Sequence, residues 1–207
     1  RAEALVNIPS TLGNANLATY VYGNRKMQID DTTALWLGRM LIGENSSSEE
    51  VMASLLWAIT NRWAYAGKNA SLYWWIRNFS QPVNVRWLPG GDKFEYWKQK
   101  DPNHQRVSGK TVEKRIRVSN TAWNELPKRV QNIVTRFRQG QISIPSSWNK
   151  VTNNVITNWA SYKNVDVKFP GGLWINGEWF FQDMNPKGRI SIIPPKDKSR
   201  RNIFVVS

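Results

Sequence analysis

Between residues 47 and 65 the chain reads SSEEVMASLLWAITNRWAY, and Val51, Met52, Leu55, Leu56, Ile59 and Trp63 recur at helical spacing. This pattern predicts a well-buried helix. Ser47 with Glu50 fits a capping box, and Glu49 and Glu50 suit the positive end of the helix dipole. The helix should run to about Tyr65, with Gly67 as its stop. Just upstream, Asp30, Asp31 and Thr32 supply helix-start chemistry, and Leu35, Leu37, Met40, Leu41 and Ile42 carry a first helix. That helix should end near Gly43-Glu44.

The segments on either side are less regular. Residues 1–29 read as an irregular arm. The aromatic run ASLYWWIRNF at 70–79 predicts a short helix, broken by Ser80-Gln81-Pro82. Residues 82–109 are rich in Pro, Gly and Asp and read as a long surface excursion, of the kind that often carries function. Residues 110–139 are helical and basic, divided at Pro127. After 141 the character changes. ISIPSSW is extended, VITNWASY suits a strand, and FPGGLWINGEWFF holds an Asn-Gly pair between aromatic runs, a strong hairpin signal. The tail RISIIPPKDKSRRNIFVVS has strand-like ends around a basic linker. The fold class expected is α+β, mainly helical, with a small β element toward the C-terminus. The division expected is an N-terminal arm at 1–29, one main domain at 30–181 and a basic tail at 182–207.

Composition narrows the function. With 29 Lys and Arg against 15 Asp and Glu, the net charge of +14 favours anionic partners. Nucleic acid, the acidic bacterial wall, lipopolysaccharide or an acidic assembly partner all satisfy it. No zinc-finger, RNP or helix-turn-helix signature supports specific nucleic-acid binding. The 12 tryptophans suit a sugar groove, a nucleic-acid platform or an aromatic core. The absence of cysteine excludes disulfides, thiolate metal sites and a cysteine nucleophile. The one histidine, His104, sits in the turn-like DPNHQ, so no multi-histidine metal site can form. No cofactor motif is present. No apolar run approaches the length that spans a membrane, and RAEALVNIPS lacks the apolar core of a signal peptide.

The stretch LIGENSSSEE, 41–50, isolates one acid. Glu49 and Glu50 read as first-turn acids of the next helix. Glu44 has no such duty, and negative charge at a helix C-terminus is mildly unfavourable. It is either a solvated helix end or a partly buried acid able to donate a proton. FSQPVNVRW, 79–87, sets Gln81, Asn84 and Arg86 beside Trp87, whose face suits a pyranose ring; the alternative is a capped loop with a buried tryptophan. Tyr73, Trp74 and Trp75 cannot all face one way on a helix, so one of them reaches the surface or a groove.

The segment LGRMLIGENSSSEEVMASLLWAITNR, 37–62, resembles the cell-wall hydrolase family of the spore-cortex lytic enzyme SleB and its bacteriophage relatives. Arg39, Gly43, Glu44, Asn61 and Arg62 fall in register with the family's pattern. FSQPVNVRW resembles the Phe-Ser-x-Pro-x-Asn segment of phage members. PSSWNKVTNNVITNWASY and INGEWFF more weakly resemble a Thr-His-aromatic segment followed by an aromatic strand. The resemblance covers about 35–90 and, more weakly, 140–181. It departs at Asn45, where relatives commonly have Ala, and at Asn158, where they have His.

The resemblance implies a lysozyme-like helical body and cleavage of the peptidoglycan glycan strand, usually as a lytic transglycosylase. It carries the catalytic acid onto Glu44. Tyr73, Gln81, Asn84, Trp87, Thr157, Asn158 and Trp159 are then the candidate substrate contacts. A transglycosylase needs no second carboxylate, because the muramic 6-hydroxyl attacks the anomeric carbon; a hydrolase would want one, and Asp92 or Glu95 could supply it. Peptidoglycan is the expected partner, with other virion or tail proteins as further ones. The expected setting is a phage virion or the host periplasm and wall. The alternative is a catalytically weak or inactive tail or baseplate protein that keeps this fold.

Overall fold

A computed structural model of the protein describes residues 17–66, 69–87, 94–96, 109–151, 155–182 and 203–206, with the backbone alone at 85–87, 94–96 and 109. Helices α1 (Asp31–Glu44) and α2 (Glu49–Tyr65) form its centre. The Asp30 side chain caps α1 by accepting from the Thr33 N–H at 2.8 Å. The cap of α2 is Ser48, not Ser47: its hydroxyl accepts from the Val51 N–H at 3.1 Å. Ser47 is taken instead by Asn45, whose Oδ1 accepts from the Ser47 N–H and hydroxyl, so the capping box expected from Ser47 and Glu50 does not form. Glu49 pairs with Arg136 at 2.8 Å, and Glu50 accepts from the Ser147 hydroxyl. Both first-turn acids are thereby spent on structure.

Around this pair lie α3 (Leu72–Phe79), α4 (Gly109–Asn120) and α5 (Lys128–Arg138), while the short α6 (Val165–Lys168) packs through Val165 on Trp179 and Phe181. The basic stretch 110–139 breaks at 121–127, where Pro127 precedes α5. Helix α1 packs on α3, α4 and α5, and α2 packs on α3 and α5. Nearly every residue of α2 is buried. Of the tryptophans, Trp36, Trp57, Trp63, Trp75, Trp123, Trp148, Trp159 and Trp179 are buried, so most of the aromatic load is core. Some of the positive charge is internal too. Arg39, Arg62, Arg77, Arg115 and Arg138 are all buried. Arg138 spans from α5 to the Ile29 carbonyl and the Asp31 carboxylate. Buried guanidiniums of this kind satisfy carbonyls where helices end, because their planar donors reach several acceptors at once.

Three small sheets complete the fold. Strands β1 (Thr19–Tyr22) and β2 (Arg25–Met27) form a hairpin, and β8 (Phe204–Val206) pairs with β1 from the other side. The part of the expected irregular arm at 19–27 is therefore ordered. Tyr20 is fully buried against Trp57 and Phe137, and Arg25 lies over Trp63 and donates to the Ala70 carbonyl. The excursion at 82–109 contributes strands β3 (Val85–Trp87) and β4 (Phe94–Tyr96), which pair with each other. Strands β5 (Asn158–Ala160), β6 (Leu173–Ile175) and β7 (Glu178–Phe181) form an antiparallel sheet in the order β5-β7-β6. Asn176 and Gly177 both have positive φ, 45° and 83°, as the tight Asn-Gly turn between β6 and β7 requires. No helix among the described residues is long and apolar enough to cross a membrane. The protein is thus a mixed, mainly helical α+β structure with small sheets.

Candidate active site

Glu44 is the last residue of α1, and α1 has no basic residue in its final turn. The residue before it explains where it lands. A Cβ on Gly43 would lie 2.4 Å from the Pro82 Cβ and 3.1 Å from Val118 Cγ1. Only glycine lets the end of α1 sit so close to the Pro82 turn and to α4. The GE and SQP stretches are therefore one packed unit.

The turn is built locally. Ser80 ends α3, its N–H bonding to the Ile76 carbonyl, and it opens a single 3-10 turn over Gln81–Val83. Arg77 closes this turn by donating to the Val83 carbonyl at 2.9 Å. Ser80 is thereby held, almost fully buried, with its hydroxyl donating to Glu44 Oε1 at 2.8 Å.

A second donor comes from the C-terminal sheet. The register sets Trp159 opposite Phe180 and Leu173 opposite Phe180. Alternation along the strands then puts Trp159, Leu173, Ile175, Glu178 and Phe180 on one face. That face meets the main core, and Trp159 donates a hydrogen bond to Glu44. Two features of α2 bring the sheet in. Asn61 donates to the Ile156 carbonyl and Arg62 to the Thr157 carbonyl, while Arg62 stacks over Phe79, whose ring meets Trp159 edge-on.

The same face brings a second acid. Glu178 is 6% exposed and opens β7 directly after the Asn-Gly turn. The hairpin tip is fastened to the α1–α2 junction: Asn45 Nδ2 donates to the Asn176 carbonyl at 3.1 Å, and the Asn176 amide donates to the Ser48 hydroxyl. Asn45 also hydrogen-bonds the Glu178 carboxylate. Burial, and next the charge of Glu44, push the Glu178 carboxyl up to about 7, against the pull of Asn45.

Glu44 keeps some surface as a residue, yet its carboxyl is enclosed enough that burial raises its pKa. The Ser80 and Trp159 hydrogen bonds and the charges of Arg115 and Lys114 on α4 act in the opposite direction, and burial outweighs them. The site is a carboxyl that resists ionisation, with two neutral donors, two cations and a second carboxyl around it. Such a group holds its proton to higher pH than an ordinary carboxyl and can give it up. Among the described residues no three acidic or histidine side chains group as a metal site needs.

The other sequence candidates lie as follows. Tyr73 is partly buried, edge-on to Trp36, and its hydroxyl accepts from Arg77 at 2.9 Å. Gln81 is exposed beside Ser80, and Asn84 is buried. Thr157 is fully buried at the approach to β5, its N–H bonded to the Phe181 carbonyl. Asn158 faces away from Glu44, on the opposite side of the sheet from Trp159, and accepts from the Trp159 N–H at 2.7 Å. Trp87 belongs to β3; its side chain, like that of Glu95, and the whole of Asp92 and His104 fall outside the described residues. Of the candidates, the structure joins Trp159 to Glu44 by a hydrogen bond. Ser80 and Glu178 were not singled out by sequence reasoning. Ser80 lies inside the FSQPVN stretch, and Glu178 is the lone acid of an aromatic hairpin; both signals were present but pointed elsewhere.

No family model, curated protein or solved structure matches this chain.

Proposed function

We propose that this protein cleaves the MurNAc-GlcNAc glycan strand of peptidoglycan, with Glu44 as general acid and then general base. The observation that carries the proposal is the setting of Glu44: an acid whose proton is retained by burial, held in one orientation by Ser80 and Trp159. The contact of Gly43 with Pro82 supports it further, because it unites the two stretches in which the resemblance to the SleB-type cell-wall hydrolases is strongest. A helical body with a small sheet beside the acid fits the lysozyme-like fold that this resemblance implies.

As a lytic transglycosylase the chain works as follows. The Glu44 carboxyl gives its proton to the glycosidic oxygen as the bond to the anomeric carbon breaks. The muramic 6-hydroxyl then attacks that carbon, and its proton passes to the Glu44 carboxylate, restoring the acid. Net positive charge favours approach to an acidic wall. The setting that suits this activity is a bacteriophage virion or lysis system acting at the host wall.

Mass spectrometry of sacculi treated with the protein tests the proposal. Anhydromuropeptides are expected from the wild type and none from Glu44→Gln. No glycan cleavage by folded wild-type protein, or equal cleavage by the variant, would sink it. A second reading is a catalytically silent tail or baseplate component with the same fold. Asn158 favours it, since it stands where the SleB-type family carries His.

A further inference from the structure

Leu173 and Ile175 of β6 point into the main core. Strand alternation therefore turns Trp174 to the opposite face of the sheet, where an edge strand ordinarily carries a polar residue. Trp174 stands there 48% exposed. The register sets Ala160, Trp179 and Trp174 in one row across the three strands. Trp179 is buried and backs the exposed ring, the two ring centroids lying 5.3 Å apart. Trp179 is itself fixed twice. Its Nε1 donates to the Phe169 carbonyl at 2.9 Å, and a Cβ on Gly172 would lie 2.9 Å from its Cε2 and 2.1 Å from the Phe180 carbonyl oxygen, so the approach requires glycine. Past the end of β5, Tyr162 is equally exposed, and the Lys168 ammonium lies 5.9 Å from its ring and 5.4 Å from that of Phe169. Lys163 is exposed next to Tyr162, while Asp166, the acid of α6, accepts from the Val167 N–H.

We infer that this outer face is a holding surface for the glycan strand of peptidoglycan, with Trp174 as its stacking platform and Lys163 and Lys168 as its cationic flank. That the ligand is this strand rests on the glycan-cleaving reading. A half-exposed indole braced from behind offers a flat apolar face at no cost in ordering it, and the C–H face of a pyranose ring matches it. The lysines match the acidic lactyl groups and stem peptides that the strand carries. Lysine is depleted from the centres of protein interfaces, which disfavours a protein as the occupant. The surface is joined to the candidate site without being part of it. Trp174 lies two residues before Asn176, whose carbonyl accepts from Asn45, the neighbour of Glu44. The hairpin thus ties the platform to the helix end that carries the acid. No step of the reaction passes through Trp174; its part is to keep the polymer close between cleavages.

The test measures binding of the Glu44→Gln protein to two probes, purified sacculi and glycan strands freed of their stem peptides. Adding Trp174→Ala should weaken sedimentation with sacculi about tenfold, and Trp174→Tyr should restore most of it. Lys168→Gln should weaken binding at low salt and leave it little changed at high salt. Peptide-free strands should shift the Trp174 indole N–H signal in a 15N NMR spectrum, assigned by its loss in Trp174→Tyr; this readout survives if Trp174→Ala fails to fold. Undiminished retention of folded Trp174→Ala, or an unmoved Trp174 indole at saturating glycan, overturns the inference. So does Trp174-dependent retention that peptide-free strands do not compete away, which assigns the face to a peptide or protein. Trp174-dependent glycan binding without any sacculus cleavage by the wild type upholds the surface and defeats the glycan-cleaving reading. Cleavage with no role for Trp174 in binding does the reverse.

Discussion

Gly43 lies against Pro82 so closely that a Cβ at position 43 would stand 2.4 Å from the Pro82 Cβ, and the next residue, Glu44, is thereby brought within 2.8 Å of Ser80. Packing and chemistry share one contact. Gly43→Ala should cost about 1–3 kcal/mol of stability, the usual penalty for forcing volume into a filled site, and it should depress sacculus cleavage by displacing Glu44 from Ser80. Urea unfolding and the cleavage assay on the same preparation check both halves.

Ser80→Ala removes a donor that favours the charged form of Glu44. The Glu44 midpoint should therefore rise above its wild-type value, and the upper limb of activity should move to higher pH. Stability at neutral pH should fall by about 1 kcal/mol. Carboxyl titration by NMR gives the sign directly.

Glu178 should make the fold less stable as pH rises. Its carboxyl ionises at about 7 in the folded protein, against an ordinary value of 4.5. An acid raised in the folded state contributes stability that is fully present below its unfolded value and is lost as pH climbs through the folded one. The window is thus about 4.5 to about 7. Urea midpoints across this window should fall more steeply for the wild type than for Glu178→Gln.

Gly177 has φ +83° with nothing within 4 Å of a Cβ placed on it. Gly177→Ala meets no neighbour, so any cost is backbone strain alone, about 1 kcal/mol. The substitution should loosen the hairpin that carries Glu178. A lower melting temperature together with weaker coupling between the Glu44 and Glu178 titrations is the expected pair of results.

Arg62 donates through Nε to the Thr157 carbonyl at 2.9 Å and lies 3.8 Å above the Phe79 ring. Lysine has neither the planar fork nor the stacking face. Arg62→Lys should cost roughly 1.5–3 kcal/mol and reduce activity, since the same contact sets β5 and its Trp159. Thermal unfolding checks the first expectation and the sacculus assay the second.

Helices α1 and α2 were legible in the sequence because their signals are local: apolar residues at helical spacing, Asp30 as a cap and acids in the first turn of α2. The β6–β7 hairpin was legible for the same reason, since Asn-Gly meets the backbone demand of its turn. Legibility failed by small margins where two local partners competed. Ser47 and Ser48 both offer a cap to α2, and Asn45 decides between them by engaging Ser47. It failed more widely at residues 19–27, where little in the local pattern announces a hairpin. That hairpin gains its stability from β8, near the opposite end of the chain, and from Tyr20 buried on Trp57 and Phe137.

By itself the sequence determined that Glu44 ends a helix with no capping duty and that Glu49 and Glu50 belong to the next one. Helix periodicity and dipole chemistry act over a few residues, so a single strand of text suffices to read them. Only the tertiary structure decided what surrounds that acid: Ser80 from the α3 turn, Trp159 and Glu178 from a distant sheet, and Asn45 linking the sheet to the helix junction. Burial and the repulsion of a second carboxyl are properties of three-dimensional proximity, and no spacing along the chain encodes them.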